Sequence, residues 1–298
     1  MAAAETTAIA AGKFSDPAIT AKGERRAGVA LARLDTLWIN TGTLCNLTCA
    51  GCYIESSPKN DRLVYISAAE VAAYLDEIAS DDLGTQEIGF TGGEPFMNPD
   101  FLVMVTDALE RGHRVLILTN AMRPMMKCAD GLLDLQRRYG ERLTLRVSVD
   151  HYAKTRHQLE RGARSWDPMI RGVRWLAEHG FTVHVAGRTR WAEDEASLRR
   201  GFAGLFGELG LKTDADDPME LVLFPEMDET VEVPEITEAC WGILHVDPGA
   251  MMCASSRMVV KRKGADRPAV VACTLLPYDP QFELGHTLAQ AAGEVKLN

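Results

Sequence analysis

Residues 34–52 read LDTLWINTGTLCNLTCAGC, and the fold turns on how that stretch divides. Leu34–Asn40 is a short apolar run fit for a buried strand. It passes into a loop that carries Cys45, Cys49 and Cys52, and Ser67 then opens SAAEVAAYLDEIAS as a plausible helix N-cap, with Val71, Leu75 and Ile78 at helical spacing. Strand, loop and helix make one unit, and the unit repeats. QEIGF (86–90) precedes FLVMVTDALERG, RVLILTN (114–120) precedes GLLDLQRRYGER, and LTLRVSVD (143–150) precedes a helix around DPMIRGVRWLAEHG that stops at Gly180. TVHVAGR (182–188) precedes EASLRRGFAGLFGELG, and ELVLF (220–224) comes last. Strand-like runs alternating with helices read as a parallel sheet with crossovers, and strands apolar along their whole length fit a sheet with buried faces. Both a partial α/β barrel and a doubly wound open sheet fit that period. In either, ligands belong at the carboxyl ends of the strands.

Outward from this core, residues 1–33 show no period and read as an arm. The core runs over 34–234. Past Pro234 the character changes, and 235–298 reads as a small appended module. There SSRMVVKRK (255–263) and PAVVACTLL (268–276) flank Gly264, Ala265 and Asp266 as a hairpin, and a short helix is expected from about Thr287 to Val295. A module of roughly 60 residues usually needs a metal or docking to supplement its core.

The chain has 298 residues, 46% of them hydrophobic and 25% charged, which excludes a disordered or collagenous chain. No run of about 18 apolar residues offers a membrane span. The opening MAAAETTAIAAGKF lacks a basic start and a sustained apolar stretch, so a cytoplasmic location is expected. A net charge of −10 argues against nucleic acid as a ligand. Residues 208–240 hold eleven acids against Lys212 alone and read as a solvated acidic connector, with a docking surface as the other possibility.

Seven cysteines in a chain expected to stay in a reducing compartment point to metal or redox chemistry before disulfides. Cys45, Cys49 and Cys52 are packed together on the first loop, Cys128 stands alone, and Cys240, Cys253 and Cys273 are spread through the tail. Three thiolates so close can hold one metal centre from one side. A structural zinc would want a fourth ligand nearby, yet the first histidine is His113. An iron–sulfur cluster normally takes four cysteines, so three leave one iron open.

CNLTCAGCY resembles the Cx3Cx2C motif of the radical S-adenosylmethionine (SAM) enzymes, in which three cysteines hold a [4Fe–4S] cluster and SAM chelates the fourth iron. Thr91-Gly92-Gly93-Glu94-Pro95, after the second strand, resembles the GGEP motif of that family. The resemblance implies a partial (β/α)6 TIM-like barrel with a small C-terminal hairpin-plus-helix module. It also implies that Gly92, Gly93 and Glu94 bind the SAM amino group, that Asn120, Ser148 and Asp150 contact its methionine or ribose portion, and that Arg161 meets its carboxylate. Arg188 is a weaker candidate for that last role. The position before the third cysteine is usually aromatic in the family and is Gly51 here; Tyr53 stands close by and offers a ring to cover the cluster or adenine.

The tail resembles the twitch module, the smaller relative of the SPASM module. Cys240, then Asp247-Pro248-Gly249 and Cys253, look like its first cysteine, turn and second cysteine, and Leu284-Gly285-His286-Thr287-Leu288 looks like a later part. The resemblance implies an auxiliary iron–sulfur cluster on Cys240, Cys253 and Cys273, either with one open position or with further ligands past Asn298. Cys128 reads as a packed thiol. His151, His157, His184, His245 and His286 lack ligand spacing and read as structural or substrate-facing, and Met122, Met125 and Met126 as cavity lining or packing.

The activity so implied is reductive cleavage of SAM to a 5′-deoxyadenosyl radical that abstracts hydrogen from a substrate. The cofactor carries the hard chemistry while the protein orients the reactants and excludes water and oxygen. Its partners would be a small-molecule substrate, with a peptide less favoured, and a low-potential electron donor such as flavodoxin or ferredoxin; neither nucleic acid nor membrane is expected. The competing assignment is a non-catalytic iron–sulfur or zinc protein serving electron transfer or structure, against which the GGEP motif weighs.

Overall fold

The computed structural model describes residues 12–226 and 231–297. Residues 1–11 of the expected arm, Asp228 and Glu229 of the acidic stretch, and Asn298 lie outside the described residues. After β1 (Gly28–Val29), strands and helices alternate through β2 (Thr36–Asn40), α1 (Ala68–Ser80), β3 (Glu87–Thr91), α2 (Phe101–Glu110), β4 (Arg114–Thr119), α3 (Arg123–Lys127) and α4 (Ala129–Tyr139). They continue through β5 (Leu143–Ser148), α5 (Lys154–Arg161), α6 (Trp166–Glu178), β6 (Thr182–Arg188), α7 (Glu195–Leu209) and β7 (Leu221–Phe224).

The strands from β2 to β7 lie side by side in chain order, every neighbouring pair parallel. A doubly wound sheet would reverse its order at a switch point. Sequential order sends every crossover the same way, so this is the barrel type of winding. The sheet is open, with β7 at one edge.

Alternation along the strands sorts the two faces. Leu37, Ile39, Ile88, Phe90, Val115, Ile117, Leu145, Val147, Val183 and Val185 are buried in the principal core. The other row, in register from Trp38 through Gly89 to Leu116 and from Leu118 through Arg146 to His184, lies on the opposite face. Ser67 caps α1 as expected, accepting from the Glu70 N–H while the Glu70 carboxylate accepts from the Ser67 N–H at 3.0 Å. Val71, Leu75 and Ile78 of α1 are buried. Phe90, Phe101 and Phe96 stack edge to face, with centroids 5.4 and 4.9 Å apart, and join β3 to α2.

The tail contributes α8 (Cys240–Leu244), β8 (Ser256–Val260), β9 (Ala269–Val271), β10 (Glu283–Gly285) and β11 (Val295–Lys296). The hairpin forms as β8 and β9, and β8 pairs in parallel with β2, extending the main sheet to an edge at β10. Where the spacing predicts a helix over 287–295, the chain makes a single 3-10 turn, Gln290–Ala292, and then β11, which pairs with β1. Arg257 supplies the reason. Its buried guanidinium takes the carbonyls of Ala291 (2.8 Å) and Gly293 (3.0 Å), which a continuing helix would need for itself.

The acidic stretch is more engaged than a solvated connector. Glu232 binds Lys13, Glu235 binds Arg26 at 2.6 Å, and Glu238 lies 3.4 Å from Arg25, so three acids at three-residue spacing hold the arm. Arg26 and Glu235 are buried.

Candidate active site

The cysteine loop leaves the carboxyl end of β2 through a tight turn. Asn40 Oδ1 accepts from the Gly42 N–H at 3.0 Å, and Gly42 has a φ of +113°, a conformation that favours glycine. The loop after β3 lies directly on it: the Gly93 N–H donates to Gly42 O at 2.8 Å and the Glu94 N–H to Leu44 O at 3.2 Å. A Cβ on Gly92 would stand 2.5 Å from Gly42 O, and one on Gly93 would overlap Leu44 O outright. The two glycines are therefore required for the backbones to meet.

Glu94 is fully buried. Its carboxylate accepts from Thr119 Oγ1 (2.8 Å), the Asn120 N–H (2.9 Å) and the Phe96 N–H (3.4 Å). Burial outweighs these bonds and pushes its pKa up to about 7. Asn120 then reaches the cysteine loop, its Nδ2 donating to Asn46 Oδ1 at 2.9 Å with Cys45 Sγ 4.0 Å away. A continuous polar line thus runs from Glu94 through Asn120 to Cys45.

Cys45 is buried, and burial raises its thiol to about 12. The Leu47 N–H points at Cys45 Sγ (3.4 Å) and the Ser56 N–H at Cys52 Sγ (3.3 Å), donors that suit anionic sulfur. Among the described residues, no three His, Cys, Asp or Glu side chains are grouped to share a single metal ion. Three thiols on one loop, two of them met by backbone N–H groups, fit a cluster whose ligands sit on different irons.

Across the mouth, Asp150 holds Arg161 bidentately, at 2.6 Å to Nε and 3.1 Å to Nη2. Burial alone would raise the Asp150 pKa, but Arg161, with His157 and Arg188, brings it below the ordinary value. Both Asp150 oxygens are engaged by Arg161, through Nε and Nη2 of its guanidinium. Ser148 is half-buried, in register with Ala186 on the face away from the helices. Tyr53 is 38% exposed, with its hydroxyl turned in toward Thr91, where burial raises its pKa.

A family model described as the Radical SAM superfamily matches residues 39–189, from β2 to the residue after β6. The chain belongs to the radical SAM superfamily. Members of that superfamily are enzymes that use a [4Fe–4S] cluster and SAM. The antilisterial bacteriocin subtilosin biosynthesis protein AlbA of Bacillus subtilis is 30% identical over 143 residues, 48% of this chain and 30% of AlbA. Fe-coproporphyrin III synthase of Methanosarcina barkeri is 30% identical over 142 residues, 47% of this chain and 33% of that enzyme. The matches therefore span about a third of those relatives' length. Streptococcus suis SuiB bound to SAM shares the fold, with a TM-score of 0.62 at 13% identity over 85% of this chain and 63% of SuiB. None of the described helices is long and apolar enough to cross a membrane.

In this radical SAM chain the tail cysteines are less gathered than the loop cysteines. Cys240 opens α8 and accepts from the Thr237 N–H at 3.3 Å, and Cys273 accepts from the Leu275 N–H at 3.4 Å. Cys253 and Cys273 lie within electrostatic reach of each other, and Cys273 of Tyr53. Cys128 is partly buried between α3 and α4. His151 contacts Glu193 at 3.3 Å, His286 contacts Pro268 O at 2.8 Å, and His157 is buried with neither ring nitrogen partnered. Met125 is core, while Asn46 Nδ2 lies 3.9 Å from Met122 Sδ. Asn46 and Thr119 escaped the sequence reading. Their signal was position: one sits inside the cysteine motif and the other directly precedes Asn120.

Proposed function

We propose that this radical SAM enzyme holds its cluster on Cys45, Cys49 and Cys52 and binds SAM between the β3 loop and the Asp150–Arg161 pair. When bound, the cluster supplies the electron that splits SAM into methionine and a 5′-deoxyadenosyl radical able to take hydrogen from a substrate. The observation that carries this reading is the line from Glu94 through Asn120 to Cys45, which sets a buried carboxylate close to the thiols. Gly92 and Gly93 let the β3 loop close against the cysteine loop, which brings their backbone to the amino end of SAM. Glu94 receives the SAM ammonium and Arg161, aimed by Asp150, its carboxylate. Asn120 and Ser148 line the nucleoside side, and Tyr53 covers it from the loop.

Anaerobic reconstitution followed by dithionite and SAM tests this: 5′-deoxyadenosine and methionine should form together. A folded, cluster-loaded protein that never yields them would return the chain to a non-catalytic iron–sulfur role.

For substrate, the weight shifts from a small molecule to a peptide. The AlbA relative serves bacteriocin biosynthesis, and a SuiB structure bound to the precursor peptide SuiA shares the fold with a TM-score of 0.61. Phe224 exposes apolar surface at the open edge, and Val231, Val233, Ile243 and Leu244 do so in the segment that follows β7. Deuterium passing from a labelled peptide into 5′-deoxyadenosine would support that choice. A flavodoxin or ferredoxin is the proposed electron donor, and Cys240, Cys253 and Cys273 are the proposed ligands of an auxiliary cluster.

A further inference from the structure

Gly51, between the second and third loop cysteines, does not have a positive φ, so its backbone conformation does not require glycine. Room does. A Cβ there would stand 2.7 Å from Arg188 Nη1, 3.2 Å from Arg188 Cζ and 3.1 Å from Glu160 Oε2. Arg188 closes β6 and reaches back across the mouth, and its Nη2 donates to Gly51 O at 2.5 Å. On the neighbouring residue the Ala50 N–H donates to Glu160 O, at 2.8 Å, so the backbone between Cys49 and Cys52 is gripped from α5 and from β6.

The gripping groups are themselves fixed. Arg188 Nε lies 3.5 Å from Asp150 Oδ1 and Nη1 4.0 Å from Glu226, while the buried Glu160 binds Arg190 and keeps Oε2 without a hydrogen-bond partner, facing the space at Gly51. Asp150 therefore serves both arginines, aiming Arg161 across the mouth and steadying Arg188 against the loop.

We propose that Arg188 is a positioning residue for the cysteine loop: its guanidinium occupies the space a side chain at 51 would fill, fixes the Gly51 carbonyl, and sets a positive charge beside the cluster ligands. Arg188 then acts on the loop and not on the SAM carboxylate, and Gly51 and Arg188 are a matched pair. The planar fork matters because one guanidinium has to reach Gly51 O, Asp150 and Glu226 together, which a lysine ammonium is poorly shaped to do. The proposal rests on the radical SAM site described above.

The test compares the wild type with R188A, R188K, G51A and the G51A/R188A double variant after anaerobic reconstitution. It reads iron per chain, the SAM dissociation constant by equilibrium dialysis, and the electron paramagnetic resonance (EPR) spectrum of the reduced protein with and without SAM. R188A should bind SAM about tenfold more weakly, the order seen when groups supporting metal ligands are removed, with an altered SAM-dependent spectrum. R188K should recover part of the loss. G51A should show the R188A signature, because the methyl group expels the guanidinium, and the double variant should be no worse than the poorer single one. Wild-type spectra and affinity in both R188A and G51A, or additive losses in the double variant, would overturn the pairing. If R188A does not fold, R188K and G51A decide the matter by the same readouts. A wild type that takes up no iron would overturn the underlying site, whereas a loaded wild type matched by its variants would overturn Arg188 alone.

Discussion

Asn120 and Asn46, 74 positions apart, are joined by a 2.9 Å hydrogen bond from Nδ2 to Oδ1, and this bond ties the end of β4 to the cysteine loop. Through its backbone N–H the same asparagine holds Glu94. N120A keeps the backbone bond and removes the side-chain tie. It should leave the thermal midpoint within a few degrees of wild type and weaken SAM binding about tenfold by equilibrium dialysis. Unchanged affinity would remove Asn120 from the site.

Glu94 makes stability pH-dependent. Burial raises its folded-state pKa to about 7, above the ordinary 4.5. Between those values the folded protein keeps a proton that the unfolded chain has released, so stability falls as pH rises from 4.5 to 7 and levels off above. The whole effect is about 3 kcal/mol by linkage. Denaturant titrations of the apoprotein at pH 5 and pH 8 should show it as a difference between wild type and E94Q, which lacks the titrating group. Because an ammonium beside the carboxylate favours its charged form, SAM binding near pH 6 should release a proton in wild type and none in E94Q.

Two glycine-to-alanine changes separate need from tolerance. G93A drives a methyl group into Leu44 O and should abolish SAM binding, measured by dialysis, because backbone cannot yield as a flexible side chain does. G204A lies on the exposed face of α7 with nothing within 4 Å and should raise stability by roughly 0.5–1 kcal/mol without changing SAM binding.

Arg257 anchors the tail. Its buried guanidinium donates to the carbonyls of Cys253 (2.6 Å), Ser256 (2.8 Å), Ala291 and Gly293, with no carboxylate paired to it among the described residues. R257M strands those acceptors and should cost about 3 kcal/mol in denaturant unfolding. R257K should recover only a fraction, since one ammonium cannot span the same acceptors.

The parallel sheet was legible because the strands are short apolar runs followed by helices with start or stop signals of their own: Ser67 opens α1 as a cap, and Gly180 follows α6 with a φ of +71°. Barrel and doubly wound sheet were not separable from periodicity, since strand order depends on which edges pair and not on any strand's composition. The tail misled for a related reason. Thr287–Val295 has helical spacing, but Arg257, some thirty positions earlier, claims its carbonyls. At the site, CNLTCAGCY and GGEP announce themselves as contiguous motifs, whereas Gly51 and Arg188 lie 137 positions apart and neither is unusual alone. Likewise the acids at 232, 235 and 238 gave no sign that Lys13, Arg26 and Arg25 would be their partners.

The proposed auxiliary ligands Cys240, Cys253 and Cys273 are tested by an iron count. The reconstituted 298-residue chain should hold more than four irons, and a C240A/C253A/C273A variant should fall to about four, the content of one [4Fe–4S] cluster. C45A, C49A and C52A should each abolish SAM cleavage while sparing any tail cluster. A wild-type count fixed at four would remove the auxiliary site.

Three thiolates on one loop should leave an iron for SAM, and electron–nuclear double resonance on the reduced protein with 15N-labelled SAM tests this most directly. A hyperfine coupling from the SAM amino nitrogen, present in wild type and absent in C49A, is the expected result. A reduced, fully loaded wild type that shows no such coupling, with a protein side chain on every iron, would contradict the account.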